Sequence, residues 1–428
     1  MSNLWADLCY ALRQLRKSPG FTITAVLTLT LGIGATTAIF TLVYDVLLKP
    51  LPYAHPGRLV VMQEQVAEFK DIYPTLPVNA NHFENWQQHS RSFQSMAVVQ
   101  PENVPLGAGG HPLQISVLRA TSGIFSVLGV KPRLGRGFTS QEDRPGQPRV
   151  VILMYDLWKT QFHSDPNILG KTVTLDGFPN TVIGVMPQSF HLPSSQTLSG
   201  AIGSANSHGY AEALVPLAFT KEQLQERAGD FDYPGLARLK PGISVAQALG
   251  ELNALQHSFS ASLAADEKMT LSAILIPFQQ YLVGNNSRPL VILLVAVAGL
   301  LLIGCINIMN LLLARAVGRR QEMAVACALG ASRTDLLRAS MREAGVLAAI
   351  GGALGILLAT ILVPMLQQFL PADLNFRGNL HVDWIGAAFA VLLAVIATLL
   401  AGAAPAWMGW RTQPQEALRG DSRSASES

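Results

Sequence analysis

The sequence predicts an α-helical membrane protein with four transmembrane helices and a large α+β extracytoplasmic domain inserted between the first and the second. Three observations predict it. First, four stretches carry no Asp, Glu, Lys or Arg: Phe21 to Tyr44, Pro289 to Ala314, Ala344 to Ala372 and Trp384 to Trp410. Each exceeds the ~20 residues a helix needs to cross a bilayer. Second, the chain is 49% apolar and only 14% charged, where a soluble domain carries about 25% charge. Third, Lys and Arg flank the spans unevenly. Arg13, Arg16, Lys17, Arg315, Arg319, Arg320, Arg333, Arg338, Arg342, Arg411, Arg419 and Arg423 stand on one side, while the short link between the third and fourth spans holds only Arg377. By the positive-inside bias both termini and the loop between the second and third spans are cytoplasmic. Residues 49–286 then lie outside, which is the periplasm if the source is a diderm bacterium. The pattern excludes a soluble, disordered or peripheral protein. It also argues against a simple secondary transporter, because four spans are few and one loop is very long.

Residues 1–20 open the chain. Leu4, Leu8, Leu12 and Leu15 fall at helical spacing and are followed by Arg16 and Lys17, which predicts an amphipathic helix on the inner membrane surface. Pro19-Gly20 separates it from the first span. That span, 21–48, is too long for a signal-peptide core and ends without a small-x-small cleavage site, so it reads as an uncleaved anchor.

The domain at 49–286 is expected to fold without staples, since Cys9, Cys305 and Cys327 all lie outside it. Short runs rich in Val, Ile and Leu predict strands at 59–65, 113–120, 149–154, 171–175, 181–185, 235–239 and 270–276. Helices are expected at 81–88, 155–163, 221–228 and 245–264, the last with a capping box from Ser244 and Gln247. The Ser- and Gly-rich 194–210 reads as a mobile loop. The tail at 420–428 reads as disordered.

Chemistry is hard to find. Gly170-Lys171-Thr172 is the nearest approach to a phosphate-binding loop, but Asp165 replaces the first glycine and a strand follows instead of a helix. No nucleophile elbow, His-Glu-x-x-His or paired Cys-x-x-Cys occurs. His82 and His89 lie seven apart on an expected helix, too far to share one tetrahedral metal, and read as solvated positions. No catalytic or metal-binding set emerges. A net charge of +3 gives no reason to expect a nucleic-acid partner.

The second span is placed at 289–314, the third at 344–370 and the fourth at 384–410, with a short external loop at 371–383 and a tail at 411–428. Within the spans, Asn307 and Asn310 are expected to join helices by hydrogen bonds, and Gly32, Gly34, Gly351 and Gly355 to allow close helix approach. The loop at 315–343 contains Arg319-Arg320-Gln321-Glu322-Met323-Ala324-Val325-Ala326-Cys327-Ala328-Leu329-Gly330-Ala331-Ser332. It predicts a short helix stopped by Gly330, then a second helix capped by Ser332. The short helix carries Met323, Val325 and Leu329. Those side chains suit a groove in a cytoplasmic partner, or equally the inner ends of the spans or the lipid interface.

This loop resembles that of the MacB, LolC/LolE and FtsX group of ABC permeases in Arg319, Arg320, Glu322, Met323 and Ala328 to Ser332. The opening Leu15 to Thr22 with Leu31 to Ala35 is similar to a branch abundant in acidobacteria. The middle region resembles a MacB-type periplasmic core through Phe125 to Val130, Pro132 to Gly135, Gly170 to Gly177 and Ile183 to Pro187. Pro405-Ala406 and Pro414 to Arg419 also fit. The resemblance implies a permease subunit without a catalytic site of its own, working with a separate cytoplasmic ATPase that holds ATP and Mg. It implies a coupling helix in which Arg319, Arg320, Glu322, Met323, Ala324, Leu329, Gly330 and Ala331 dock on that ATPase. It further implies mechanotransmission to the outer domain for efflux or envelope export, in a dimer with a like or related permease. A periplasmic adaptor or cargo would be a further partner. Ala326 departs from the Arg common in relatives, which puts the strength of docking in doubt. The chain holds one permease unit where that branch often has two in tandem, so homodimer and heterodimer stay open. The alternative is a membrane-anchored sensor or scaffold that binds an envelope ligand without an ATPase.

Overall fold

The computed structural model describes residues 13, 15–16, 18–49, 51–107, 113–190, 192, 210–263, 269–284, 287–318, 333–368 and 380–411. The chain divides into a helical unit, built from 1–49, 285–369 and 379–428, and a second unit comprising 50–284 with 370–378.

The helical unit contains α1 (Pro19–Val43), α8 (Ser287–Gly318), α9 (Arg333–Gln367) and α10 (Trp384–Arg411). All four hold segments long and apolar enough to cross a membrane: 19–48, 288–314, 341–367 and 384–402. Pro19 stands in the first turn of α1, where its missing N–H costs no hydrogen bond. The break expected at Pro19-Gly20 is therefore a helix start. The hydroxyl of Thr22 donates back to the Leu15 carbonyl at 2.8 Å, tying the preceding turn to the span.

Helix α1 packs against each of the other three. Thr36 of α1 faces the Val297 carbonyl of α8, and Gly32 faces Leu301, so the two run antiparallel. Leu29 and Gly34 of α1 face Gly351 and Gly355 of α9, so that pair runs parallel. Helix α10 runs antiparallel to α9, with Gly402 opposite Met341 and Ala394 opposite Gly352. One face of the bundle therefore carries the start of α1, the end of α8, the start of α9 and the end of α10. The chain leaves for residues 50–284 at the other face.

The second unit is α+β. Its strands are β1 (Leu59–Val66), β2 (Phe93–Gly107), β3 (Leu113–Ala120), β4 (Leu134–Gly135), β5 (Val150–Leu153), β6 (Thr172–Leu175), β7 (Phe178–Val185), β8 (Ala213–Pro216), β9 (Gly235–Leu239) and β10 (Leu271–Pro277). Its helices are α2 (Ala80–His89), α3 (Ile124–Leu128), α4 (Tyr155–Gln161), α5 (Lys221–Gln225), α6 (Val245–Ala261) and α7 (Phe278–Val283). The capping box of Ser244 and Gln247 is formed at the start of α6.

The strands form one sheet in the order β10-β1-β9-β2-β3-β8-β5-β7-β4. Strand β6 pairs with both β7 and β2. Following the pairings β2-β3-β8-β5-β7-β6 and back to β2 closes a six-stranded ring. Its interior is filled by Val104, Ile115, Val117, Val173, Val182 and Ala213. In the open part of the sheet, alternation along β1 sends Val60 and Met62 to one core with Phe83 and Trp86. Leu59 and Val61 go to a second core with Ile124 and Phe278.

Strands β2, β4 and β8 are additions to those the sequence predicts. Pro101, Pro105 and Glu102 break the strand pattern of β2, yet the strand tolerates both prolines because their nitrogens face away from β3, on a side where β9 pairs only as far as Val98 and β6 only from Leu106. The loop expected at 194–210, except Tyr210, and the tail expected at 420–428 lie outside the described residues.

Candidate functional site

The helical unit is organised by glycines. A β-carbon on Gly34 would come within 3.0 Å of the Gly355 carbonyl oxygen, and one on Gly355 within 3.1 Å of the Gly34 nitrogen. One on Gly351 would meet the Leu29 β-carbon at 2.6 Å, and one on Gly32 the Leu301 side chain at 2.8 Å. The backbones of α1 and α9 thus touch directly, as small residues permit in membrane helices.

Asn307 and Asn310 are placed otherwise than expected. Both are exposed on α8 and reach no other helix among the described residues. The buried stripe of α8 runs through Leu301, Cys305, Ile308 and Leu312 at steps of three and four, and the two asparagines fall out of phase with it.

At its outer end α1 widens into one π-helical turn, Tyr44–Leu48, a feature that breaks the ordinary ladder of a span. Thr37, Thr41 and Asp45 stand at four-residue steps along its buried face. Lys49 pairs with Asp45 at 2.5 Å. Between the end of α8 and the start of α9, residues 319–332 lie outside the described residues. Arg319, Arg320, Glu322, Met323, Ala324, Leu329, Gly330 and Ala331 are all among them.

The second unit holds a buried polar cluster that the sequence pattern does not announce. His82, expected to be solvated, is fully buried, as is Glu64 on β1. Their side chains meet at 2.7 Å, and the other ring nitrogen of His82 lies 3.0 Å from the Arg227 carbonyl. With an acceptor at each nitrogen, both donate when the ring is protonated. Gln256 donates to Glu64 at 3.0 Å and accepts from the Trp86 indole at 3.0 Å. Burial disfavours the charged ring, but the Glu64 carboxylate and the hydrogen bonds outweigh it and raise the His82 pKa. His89 is exposed, as expected. Among the described residues no three His, Cys, Asp or Glu side chains gather as a metal site.

Residues 22–255, more than half the chain, match the sequence model of the MacB-like periplasmic core domain. The chain belongs to this family. Residues 294–414 match the FtsX-like permease C-terminal domain, so the protein is a MacB/FtsX-like ABC permease. The macrolide export ATP-binding/permease protein MacB of Salmonella paratyphi A is 26% identical over 330 residues, 74% of this chain and 45% of that protein. MacB of Escherichia coli K12 is 25% identical over 299 residues, 69% of this chain and 42% of that protein. The match spans less than half the length of these relatives. The crystal structure of the periplasmic region of MacB from Actinobacillus actinomycetemcomitans aligns with 51% of this chain and 89% of its own, at 17% identity and a TM-score of 0.36. This MacB-like permease pairs four apolar helices with an extracytoplasmic-type domain inserted after the first.

Proposed function

We propose that this permease couples ATP hydrolysis by a separate cytoplasmic ATPase to motion of its extracytoplasmic domain, for efflux or envelope export. The observation that carries the reading is the direct backbone contact of α1 with α9 through Gly34 and Gly355. Helix α9 begins just after the 319–332 loop, and α1 runs straight into residues 50–284. A force on the loop turns α9. Because α1 and α9 touch backbone to backbone, α1 moves with it. Flexible side chains would absorb such a displacement, and packed backbones do not.

In this account Arg319, Arg320, Glu322, Met323, Ala324, Leu329, Gly330 and Ala331 form the docking element, with both termini on the same cytoplasmic side. ATP and Mg reside on the ATPase. Two permeases, like or related, face two ATPases. Cargo passes by way of the outer domain, which fits spans whose described carboxylates, Asp45 and Glu343, stand close to the ends of the apolar segments 19–48 and 341–367.

The test is co-expression with an ATPase encoded beside this chain, followed by co-purification in detergent and measurement of turnover. Stable association and faster turnover support the reading. Glu322→Arg and Met323→Asp are expected to abolish both. Association that survives both substitutions refutes the docking element, and the absence of any ATPase partner favours a sensor or scaffold.

A further inference from the structure

The six-stranded ring opens at one end onto a cavity of about 230 Å³. All six strands reach this mouth: β2 at its interior residue Glu102, β3 at Arg119, β8 at Val215, β5 at Val150, β7 at Asn180 and β6 at Leu175. Deeper interior positions are filled, by Ile115, Val173 and Val182 among others, so the cavity is a mouth and not a channel. Barrel mouths are a recurrent place for small-molecule sites.

Floor and rim differ in chemistry. The floor is aliphatic, formed by Val104, Val117 and Leu175. The rim carries Arg119, Arg144 and Arg149 against Glu102, Glu142 and Asp176. Two of these carboxylates are already engaged, Glu102 by Arg119 at 2.8 Å and Glu142 by Arg136 at 2.6 Å. With those two pairs set aside, Arg144 and Arg149 face Asp176 alone among the charged groups of the lining. Arg144 is exposed and makes no ion pair among the described residues. Arg149 lies 3.8 Å above the Phe178 ring, and a stacked guanidinium keeps its N–H edge for a forked contact with an oxyanion.

The wall bearing Arg144 is held in place. Asp143 accepts the Ser122 N–H at 2.6 Å and the Ala218 N–H at 3.0 Å, and Glu142 accepts the Thr139 N–H at 2.9 Å. These anchors pre-form the cavity, which lowers the cost of ordering it around a ligand.

We propose that this mouth binds a small amphiphilic carboxylate, its apolar body on the Val104–Val117–Leu175 floor and its anion on Arg144 and Arg149. A peptide C-terminus and a short free acid share that chemistry. The site owes nothing to the ATPase reading and stands or falls apart from it.

The test is titration of the full-length permease in nanodiscs, with empty nanodiscs as control. N-acetyl-leucine stands for a peptide C-terminus and 4-methylpentanoate for a free acid. N-acetyl-leucinamide and 4-methylpentanamide are their neutral counterparts. The expected result is saturable binding of at least one acid with a Kd of about 0.1–1 mM, in keeping with ~10 non-hydrogen atoms. Its amide should bind roughly tenfold more weakly or not at all. The tighter acid identifies the source. The double variant Arg144→Ala/Arg149→Ala should lose roughly tenfold in affinity with an unchanged melting temperature, since both side chains are exposed; if it melts lower, the single Arg144→Gln takes its place. No saturable binding of either acid up to about 10 mM, equal binding of acid and amide, or undiminished binding to a folded variant would each overturn the proposal.

Discussion

Gly34 and Gly355 meet across α1 and α9 with no side chain between them: each position, given a β-carbon, would drive it to within 3.0–3.1 Å of the other residue's backbone. Gly355→Leu must therefore push the two helices apart. Overpacking of this kind costs typically 1–3 kcal/mol. Thermal unfolding in detergent should show the loss, and ATPase stimulation should fall further than stability because the α1–α9 contact is the transmitting one. Stimulation that persists in a protein with a lowered melting point would separate packing from transmission.

Gly250 is the opposite case. It lies inside α6, and a β-carbon added there would have nothing within 4 Å. Gly250→Ala should stabilise the outer domain by about 0.5–1 kcal/mol, through helix propensity and a less disordered unfolded chain. A denaturant midpoint shifted upward with an unchanged slope is the expected reading.

The Glu64–His82 pair predicts a pH dependence. The folded pKa of His82 is raised above its ordinary 6.5, so the folded state holds this proton more tightly than the unfolded chain. The associated stability is complete below about pH 6.5 and is lost as pH rises through the raised value. His82→Gln should remove that slope from a plot of melting temperature against pH. It should also cost about 3 kcal/mol, because Glu64 is left buried without its cationic partner. A parallel slope in the variant would assign the effect to another group.

Glu142 predicts a change at the acid end. The Arg136 side-chain hydrogen bond, opposed by partial burial and aided by Thr139, lowers its pKa to about 2. Its contribution is present above the ordinary carboxylate value and disappears as pH falls toward about 2. Hydrogen exchange of the Thr139 amide, whose N–H donates to Glu142 at 2.9 Å, should stay slow at mildly acid pH in the native protein. In Arg136→Met it should quicken near pH 4.5, the ordinary value for this group.

Sequence is informative where one residue's neighbours along the chain decide the outcome. Four spans follow from uninterrupted apolar runs, and the Ser244–Gln247 box needs only a three-residue spacing. The glycines at 34 and 355 are visible as small residues, but which helices they join depends on bundle topology. His82 reads as solvated because its partner, Glu64, lies on another element, and an isolated histidine on a helix gives no sign of a carboxylate behind it. Strand β2 is hidden by its two prolines. Ring closure rests on a short pairing of Leu106 with Leu175 and of Gly107 with Thr174, which no local pattern announces. The barrel-mouth arginines are therefore unreadable as a group.

Transmission requires that the 319–332 loop and the 50–284 domain face opposite sides of the membrane, so that an engine gripping one can move the other. Site-directed labelling decides it. In a background of Cys9→Ser, Cys305→Ala and Cys327→Ala, single cysteines replace Gln321, Ser332 and Asp71 in turn, and intact cells with a permeable outer envelope are exposed to a membrane-impermeant maleimide. Asp71→Cys should label at once, and Gln321→Cys and Ser332→Cys only after the inner membrane is opened. Labelling of either loop position in intact cells would contradict this arrangement.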